Sequence, residues 1–368
     1  MSQLPLAALA DDFSGAAEIA GVAHSAGLKT FLSCPLGASL PPKGTDAWVI
    51  DLDTRRKEPW ESLFRMGQLD WSFLSYAHHH YKKTDSVLRG HILLEIQEII
   101  RRLFIGRAVL VPANPARGRI IQDGRYSING TPLHQTEFGQ DPNYPAQTDC
   151  VDTLLRERCP GGKGMVPFWE VPDIQTQEDL ETTIREVKHR TLHAGASPYF
   201  ATCLKAWGMW QGSSAPKPPT WDSAALVSGS RSINASETAA LFRKNHIPVY
   251  EIDPGEPGWN PTTGQSPTWM LKLTTNTLPD PNSLPWHLAE CLSGHTSKYG
   301  VPSHLLIEGG DTAAAILEKY AWQDFTVIHQ WEPGVTTLKP TTKVAPFITT
   351  KPGSYPWPQE LKEALLRR

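Results

Sequence analysis

The sequence predicts a two-domain α/β protein, each domain a mostly parallel sheet flanked by helices. Three observations predict it. Short apolar runs alternate with helix-like stretches in both halves of the chain. The length of 368 residues exceeds one ordinary domain, which holds roughly 100–200 residues. A stretch rich in Ser, Pro, Gly and Trp, 208–222, interrupts the alternation and cannot bury a continuous apolar face. The expected division is 1–212 for the first domain, 213–222 for a linker and 223–368 for the second.

In chain order, Pro5–Leu9 reads as a buried strand ending in Ala10-Asp11-Asp12, and Ala16–Ser25 as a helix. Lys29–Ser33 and Ala47–Asp51 are strands. His79–Lys83 is a strand leading into Thr84-Asp85-Ser86. Ile92, Leu93, Ile96, Ile99, Ile100 and Leu103 recur at helical spacing, which predicts a helix over 92–103. Arg107–Val111 is a strand closed by Pro112. Asn129-Gly130, set between apolar residues, predicts a β-hairpin over Gly124–Leu133, because both residues tolerate positive φ. In the second half, Ala224–Val227, Pro248–Ile252, Trp269–Leu273, His304–Ile307, Phe325–Ile328 and Ala345–Ile348 read as strands. Ser236–Lys244, Leu284–Ser297 and Asp311–Lys319 read as helices, and Pro254–Pro267 as a loop.

Bulk properties exclude several classes. The formal net charge is −3, so no basic field exists to hold nucleic acid or an anionic membrane. Five scattered cysteines with no Cys-x-x-Cys pair argue against a disulfide framework and a thiolate metal site. No basic segment opens the chain; the first Lys or Arg is Lys29, which argues against a secretory leader. A cytoplasmic location is expected, and a homo-oligomer is compatible with the sequence.

Ligands of open α/β sheets bind beyond the carboxyl ends of the strands, where several polar clusters fall. Asp11-Asp12-Phe13-Ser14-Gly15 lies where a strand meets a helix. Its carboxylates could accept substrate hydroxyls or a proton; an Asp N-cap is the plainer reading. Lys83-Thr84-Asp85-Ser86-Val87-Leu88-Arg89-Gly90 carries cations, a carboxylate and hydroxyls suited to a hydroxylated acid. A solvated loop with a local salt bridge fits the same residues. Asp53-Thr54-Arg55-Arg56 could bring Arg55 to a carboxylate, or be a surface basic pair. Gly229-Ser230-Arg231-Ser232, Glu308-Gly309-Gly310-Asp311-Thr312 and Lys351-Pro352-Gly353-Ser354 are small-residue loops after strands. Each alone is compatible with an ordinary turn; together they suit a nucleotide phosphate site.

No P-loop, Gly-x-Gly-x-x-Gly or Gly-x-Ser-x-Gly motif occurs. His78-His79-His80 lies on a strand, where alternation keeps the three side chains from converging on one metal.

In order, these clusters resemble the four-carbon acid sugar kinase family. Ala10-Asp11-Asp12-Phe13-Ser14-Gly15-Ala16 is similar to its Ala-Asp-Asp-Leu/Phe-Thr-Gly-Ala opening, and Lys83–Gly90 to its Lys-x-Asp-Ser-Thr-Leu-Arg-Gly. Pro112-Ala113-Asn114-Pro115-Ala116-Arg117-Gly118-Arg119, followed by Asn129-Gly130-Thr131-Pro132-Leu133, resembles its Pro-Ala-x-Pro-x-x-Gly-Arg and hairpin. Thr136-Glu137-Phe138, Asp141-Pro142, Ser228–Ser232, Gly309–Thr312 and Pro333-Gly334-Val335 continue in the family's order. The chain departs from the pattern at Arg231, where the family usually has Cys, and at Lys351–Pro356, where it tends to have Lys-x-Gly-Asn/Gly-Phe-Gly.

The resemblance implies that the first domain binds a sugar acid and the second ATP with Mg²⁺, with the active site in the interdomain cleft. It implies substrate contacts from Asp11, Asp12, Arg55, Lys83, Thr84, Asp85, Ser86 and Arg89. ATP contacts would come from Ser230, Gly309, Gly310, Asp311, Thr312 and Gly353. Asp12 or Asp85 would take the hydroxyl proton. The rival readings are a kinase of another small hydroxy acid, a sugar-acid-binding protein that has lost ATP use, and a nucleotide-linked oxidoreductase.

Overall fold

The computed structural model describes residues 4–34, 40–141, 143–159, 169–187, 190–212, 217–230, 233–253, 266–274, 283–353 and 355–367. Pro142, Arg231, Ser232, Ser354, residues 213–216 of the expected linker and most of the expected loop Pro254–Pro267 lie outside the described residues. The chain divides into two compact units, Met1–Ser213 and Ser214–Arg368.

The first unit runs β1 (Leu6–Ala10), α1 (Phe13–Ser25), β2 (Thr30–Ser33), β3 (Ala47–Asp51), α2 (Pro59–Gly67), α3 (Trp71–Leu74), β4 (His79–Lys83), α4 (Ile92–Leu103) and β5 (Arg107–Val111). It continues with β6 (Arg119–Gln122), β7 (Arg125–Ile128), β8 (Thr131–Pro132), α5 (Val151–Glu157), β9 (Trp169–Glu170), α6 (Gln177–Glu186), β10 (Thr191–Gly195) and α7 (Ser197–Ala206). Its main sheet has the order β2-β3-β1-β4-β10-β5-β9, parallel throughout. The central strands are apolar runs buried along their length, as a sheet covered on both faces requires. Helix α1 is built from small residues and is buried from Phe13 to Ala23.

Strands β6, β7 and β8 form a separate antiparallel sheet. The expected hairpin turn is there: Asn129 and Gly130 have φ of 50° and 79°, the left-handed pair of a type I′ turn. Helices α2, α3, α5, α6 and α7 and strands β6, β9 and β10 are additions to the sequence reading.

The second unit runs β11 (Ala224–Ser228), α8 (Ile233–Lys244), β12 (Val249–Ile252), β13 (Thr268–Leu273), α9 (Leu284–Tyr299), β14 (His304–Glu308), α10 (Gly310–Lys319), β15 (Asp324–Glu332), β16 (Val335–Pro340), β17 (Phe347–Lys351) and α11 (Gln359–Leu366). Its strand order is β12-β13-β11-β14-β17-β16-β15. The first five strands are parallel, and β16 is antiparallel to both of its neighbours. Strand β17 starts later than expected and runs on through Thr349, Thr350 and Lys351. Those polar residues are buried, so an apolar run underestimates the strand. Among the described residues no helix is long and apolar enough to cross a membrane.

Candidate active site

Strands β3, β1 and β4 end in register, Asp51 beside Ala10 and Ala10 beside Lys83. The loops after them therefore meet at one edge. Asp12 caps α1, its Oδ1 accepting from the Gly15 amide at 2.9 Å, so the plainer reading of that residue holds. The cap is only part of its role. The amides of Thr54 and Arg55 donate to the Asp11 carbonyl at 2.9 and 3.0 Å, which sets Arg55 over the acidic pair. Its Nε and Nη2 donate to Asp11 at 2.8 and 3.0 Å, and Nη1 and Nη2 to Asp12, each at 2.7 Å. Asp85 Oδ1 lies 3.8 Å from Nη1. Gly90 is needed here: its φ is +87°, and a Cβ would stand 3.4 Å from Asp11 Oδ2 and 3.5 Å from Arg55 Cγ.

Adjacent residues of a strand point to opposite faces, and Lys82 and Lys83 use both. Lys82 Nζ lies 2.7 Å from Glu95 Oε2 of α4, with both side chains almost wholly buried. Glu95 Oε1 also accepts from Thr54 Oγ1 at 2.5 Å. Lys83 Nζ lies 3.4 Å from Glu18 Oε2 of α1, and Glu18 Oε1 accepts from Ser197 Oγ at 2.8 Å.

The segment after β4 curls around Asp85. Leu88 and Gly90 take φ of 67° and 87°, and the Val87 and Arg89 amides both donate to Asp85 Oδ2 at 3.1 Å. Arg89 grips the same carboxylate with Nε and Nη2 at 3.0 and 2.9 Å, and its Nη1 lies 3.5 Å from Asp141. Residues from the hairpin region close in from the other side. Tyr126 donates to the Ser86 carbonyl at 2.6 Å, Arg119 to the Ser86 hydroxyl and Tyr144 to the Arg55 carbonyl. The guanidinium groups of Arg89 and Arg119 both lie against Phe138. Thr84 Oγ1 is buried with no hydrogen-bond partner among the described residues, as is Ser14 Oγ.

These surroundings separate the carboxylates. Burial works to raise Asp11, but Arg55, Lys82 and Lys83 together hold it below its ordinary range. Burial, joined by the Asp11 charge, raises Asp12 despite Arg55. Burial opposes ionisation of Asp85 too, yet Arg89 and Arg55 hold it well below the usual carboxylate range. Asp51, buried beside Asp53, is pushed well up. Paired carboxylates with opposed shifts are the usual signature of divided acid–base roles.

In the second unit, Lys272, Ser228, Glu308 and Lys351 stand in register across β13, β11, β14 and β17. Glu308 and Lys351, read from sequence as loop residues, are strand residues. They form a fully buried ion pair of 2.9 Å, and burial lowers the Lys351 ammonium despite Glu308. Beyond this row the small residues converge. A Cβ on Gly229 would come within 2.1 Å of Thr312 Oγ1, and one on Gly353 within 3.0 Å of Ser230 Oγ. Gly309 has a φ of 103°, and α10 opens at Gly310 beside Asp311 and Thr312. The buried Ser228 hydroxyl has no partner among the described residues. Bare backbone, a helix N-terminus and an unsatisfied hydroxyl fit the phosphates of a nucleotide.

Asp11, Asp12, Arg55, Lys83, Thr84, Asp85, Ser86 and Arg89 thus gather in the first unit, and Ser230, Gly309, Gly310, Asp311, Thr312 and Gly353 in the second. Arg55, Lys83 and Arg89 each already hold a carboxylate of the fold. The sequence reading gave no site role to Glu18, Lys82, Glu95, Arg119, Asp141 and Tyr144, although Arg119 and Asp141 lie in the motifs quoted above. Glu18 and Glu95 also left a signal: Glu18 is the lone acid in an Ala/Gly-rich helix, and Glu95 lies on the apolar face of α4.

A family described as the sugar-binding N-terminal domain matches residues 6–197. The chain is 32% identical over 150 residues to a D-threonate kinase of Salmonella typhimurium, covering 40% of this chain and 35% of that protein. It is 24% identical over 281 residues to a 3-oxo-tetronate kinase of the same organism, covering 68% of this chain and 66% of that one. It therefore spans about a third of the length of the first relative and about two thirds of the second. A crystal structure of a Haemophilus influenzae protein, from a family described as a domain of unknown function, shares the fold. Its TM-score is 0.71 at 20% identity, over 98% of both chains. With the sugar-binding domain matched over more than half of its residues, this chain belongs to the four-carbon acid sugar kinase family.

Proposed function

We propose that this protein is a cytoplasmic, ATP-dependent kinase that phosphorylates a hydroxyl of a four-carbon sugar acid of the erythronate, threonate or 2-oxo-tetronate type. The observation that carries this reading is the Asp11–Asp12 pair bridged by one guanidinium at the carboxyl end of β1, its two members shifted in opposite directions. The similarity to proteins named D-threonate kinase and 3-oxo-tetronate kinase supports the same substrate class.

In this reading the first unit binds the acid and the second the nucleotide. Asp12, whose raised affinity for a proton suits a base, accepts the proton of the attacking hydroxyl. Asp11 stays ionised and holds Arg55 in place. Asp85 organises its loop and anchors Arg89. The orphan hydroxyls of Thr84 and Ser14 bond to the sugar acid. Gly229, Ser230, Gly309–Thr312 and Gly353 hold ATP, which supplies the phosphoryl group, with Mg²⁺ accompanying its phosphates.

The test is an ADP-release screen over erythronates, threonates and their 2-oxo and 3-oxo forms. Release with at least one of them is expected. No release with any, alongside calorimetric binding of the acid, would replace this reading with that of a sugar-acid-binding protein.

A further inference from the structure

Most cations at the carboxyl edge of the first unit are already taken up by acceptors of the fold. Arg55 is held by Asp11 and Asp12, Lys82 by Glu95, Lys83 by Glu18 and Arg89 by Asp85. Arg158 spends its donors on the carbonyls of Leu88, Tyr144 and Pro145. Arg119 is half-buried, and among the described residues no carboxylate pairs with it. It donates one bond to Ser86 Oγ and lies over Phe138, 5.7 Å from the ring centroid. Ser86 is itself fixed by Tyr126, so the guanidinium is held in place, and among the described residues most of its donors have no acceptor.

Acceptor atoms that lack donors lie close by in the chain. Asn114 exchanges two backbone bonds with Arg119, of 2.8 and 3.0 Å. The Asn114 side chain is buried, and its Oδ1 has no partner among the described residues. Thr84 Oγ1, two residues from Ser86, is in the same condition. Buried acceptors of this kind call for donors, and a partly desolvated guanidinium calls for an anion that its planar fork can hold with two parallel bonds. A small acid with a carboxylate at one end and hydroxyls along its chain meets both demands.

We propose that Arg119 is the receptor for the substrate's carboxylate and so sets the preference for sugar acids over neutral polyols, with Asn114 taking a neighbouring hydroxyl. The inference rests on the sugar-acid reading of the site. In that arrangement Arg55 and Arg89 serve to organise Asp11, Asp12 and Asp85, and only Arg119 meets the carboxylate directly.

The experiment is calorimetry on the full chain and its R119M and R119K variants. The probes are erythronate and threonate, with erythritol and threitol as their neutral counterparts. The wild type should favour the acids. R119M should bind them roughly 100-fold more weakly, the loss of two charge-assisted bonds, with binding of the polyols unchanged. R119K keeps the charge but not the fork, and should fall between. Melting temperatures on the same samples report folding; if R119M is unfolded, R119K decides. Acid binding at wild-type strength in a folded variant would overturn the role of Arg119 while leaving the kinase reading intact. Failure of the wild type to bind either acid would sink the reading of the site itself, and this inference with it.

Discussion

Asp12 and Asp85 stand within reach of the same guanidinium, yet their surroundings pull them apart. Asp12 is raised by burial and by the Asp11 charge, whereas Asp85 is held low by two arginines against the effect of burial. A base must be ionised to act, so activity governed by Asp12 is lost as pH falls through its raised value. The acid limb of kcat/KM should therefore lie above the ordinary aspartate range, and D12N should lower kcat by roughly 100-fold or more. D85N should leave the position of that limb unchanged. For stability the sign follows from depression: Asp85 contributes fully above its unfolded value, about 3.9, and less as pH falls towards its folded value. D85N should thus cost about 1–2 kcal/mol at pH 7, discounted because Arg89 is about a third exposed. The gap between the two melting curves should narrow in acid. An acid limb that moves in D85N would reverse the two roles.

At the scale of elements, strand β4 is tied to the helix layers by its paired lysines. Lys82 and Lys83 look like a solvated basic pair in sequence, but alternation sends them to opposite faces, each to a glutamate. Stripping one partner from a fully buried pair leaves an uncompensated charge, which costs more than the pair contributes. E95Q should lower the unfolding free energy by roughly 3 kcal/mol, measured by denaturant titration, because Lys82 has no exposure to water. A loss below about 0.5 kcal/mol, the scale of an ordinary surface substitution, would mean that Lys82 finds another partner. Strand β16, missed in sequence, is concealed in a comparable way. In β16, Val335–Pro340, Thr336 and Thr337 are buried, and Thr337 bonds Thr349 of β17 at 2.6 Å. Hydrogen-bonded threonines fill a core without producing an apolar run.

Across the whole molecule, the proposed division of labour makes the two ligands separable. G229A would drive a methyl group against Thr312, 2.1 Å away. It should abolish measurable nucleotide binding and leave the affinity for the sugar acid within about twofold. Equal loss of both ligands in G229A would contradict the assignment of the nucleotide to the second unit.

The sequence alone determined the α/β class, several strands and helix α4 to the residue, the type I′ turn at Asn129-Gly130 and the loops that carry polar residues at strand ends. All of these follow from local rules: apolar runs, helical spacing and backbone preference act between near neighbours. Tertiary structure alone decided which charges distant in sequence meet. Arg55 spans 44 positions to reach Asp11, and Ser197 spans 179 to reach Glu18. No local pattern encodes such pairings, because they exist only once parallel strands bring distant loops to one edge. Whether a given cation is spent within the fold or left for a ligand is settled by those pairings.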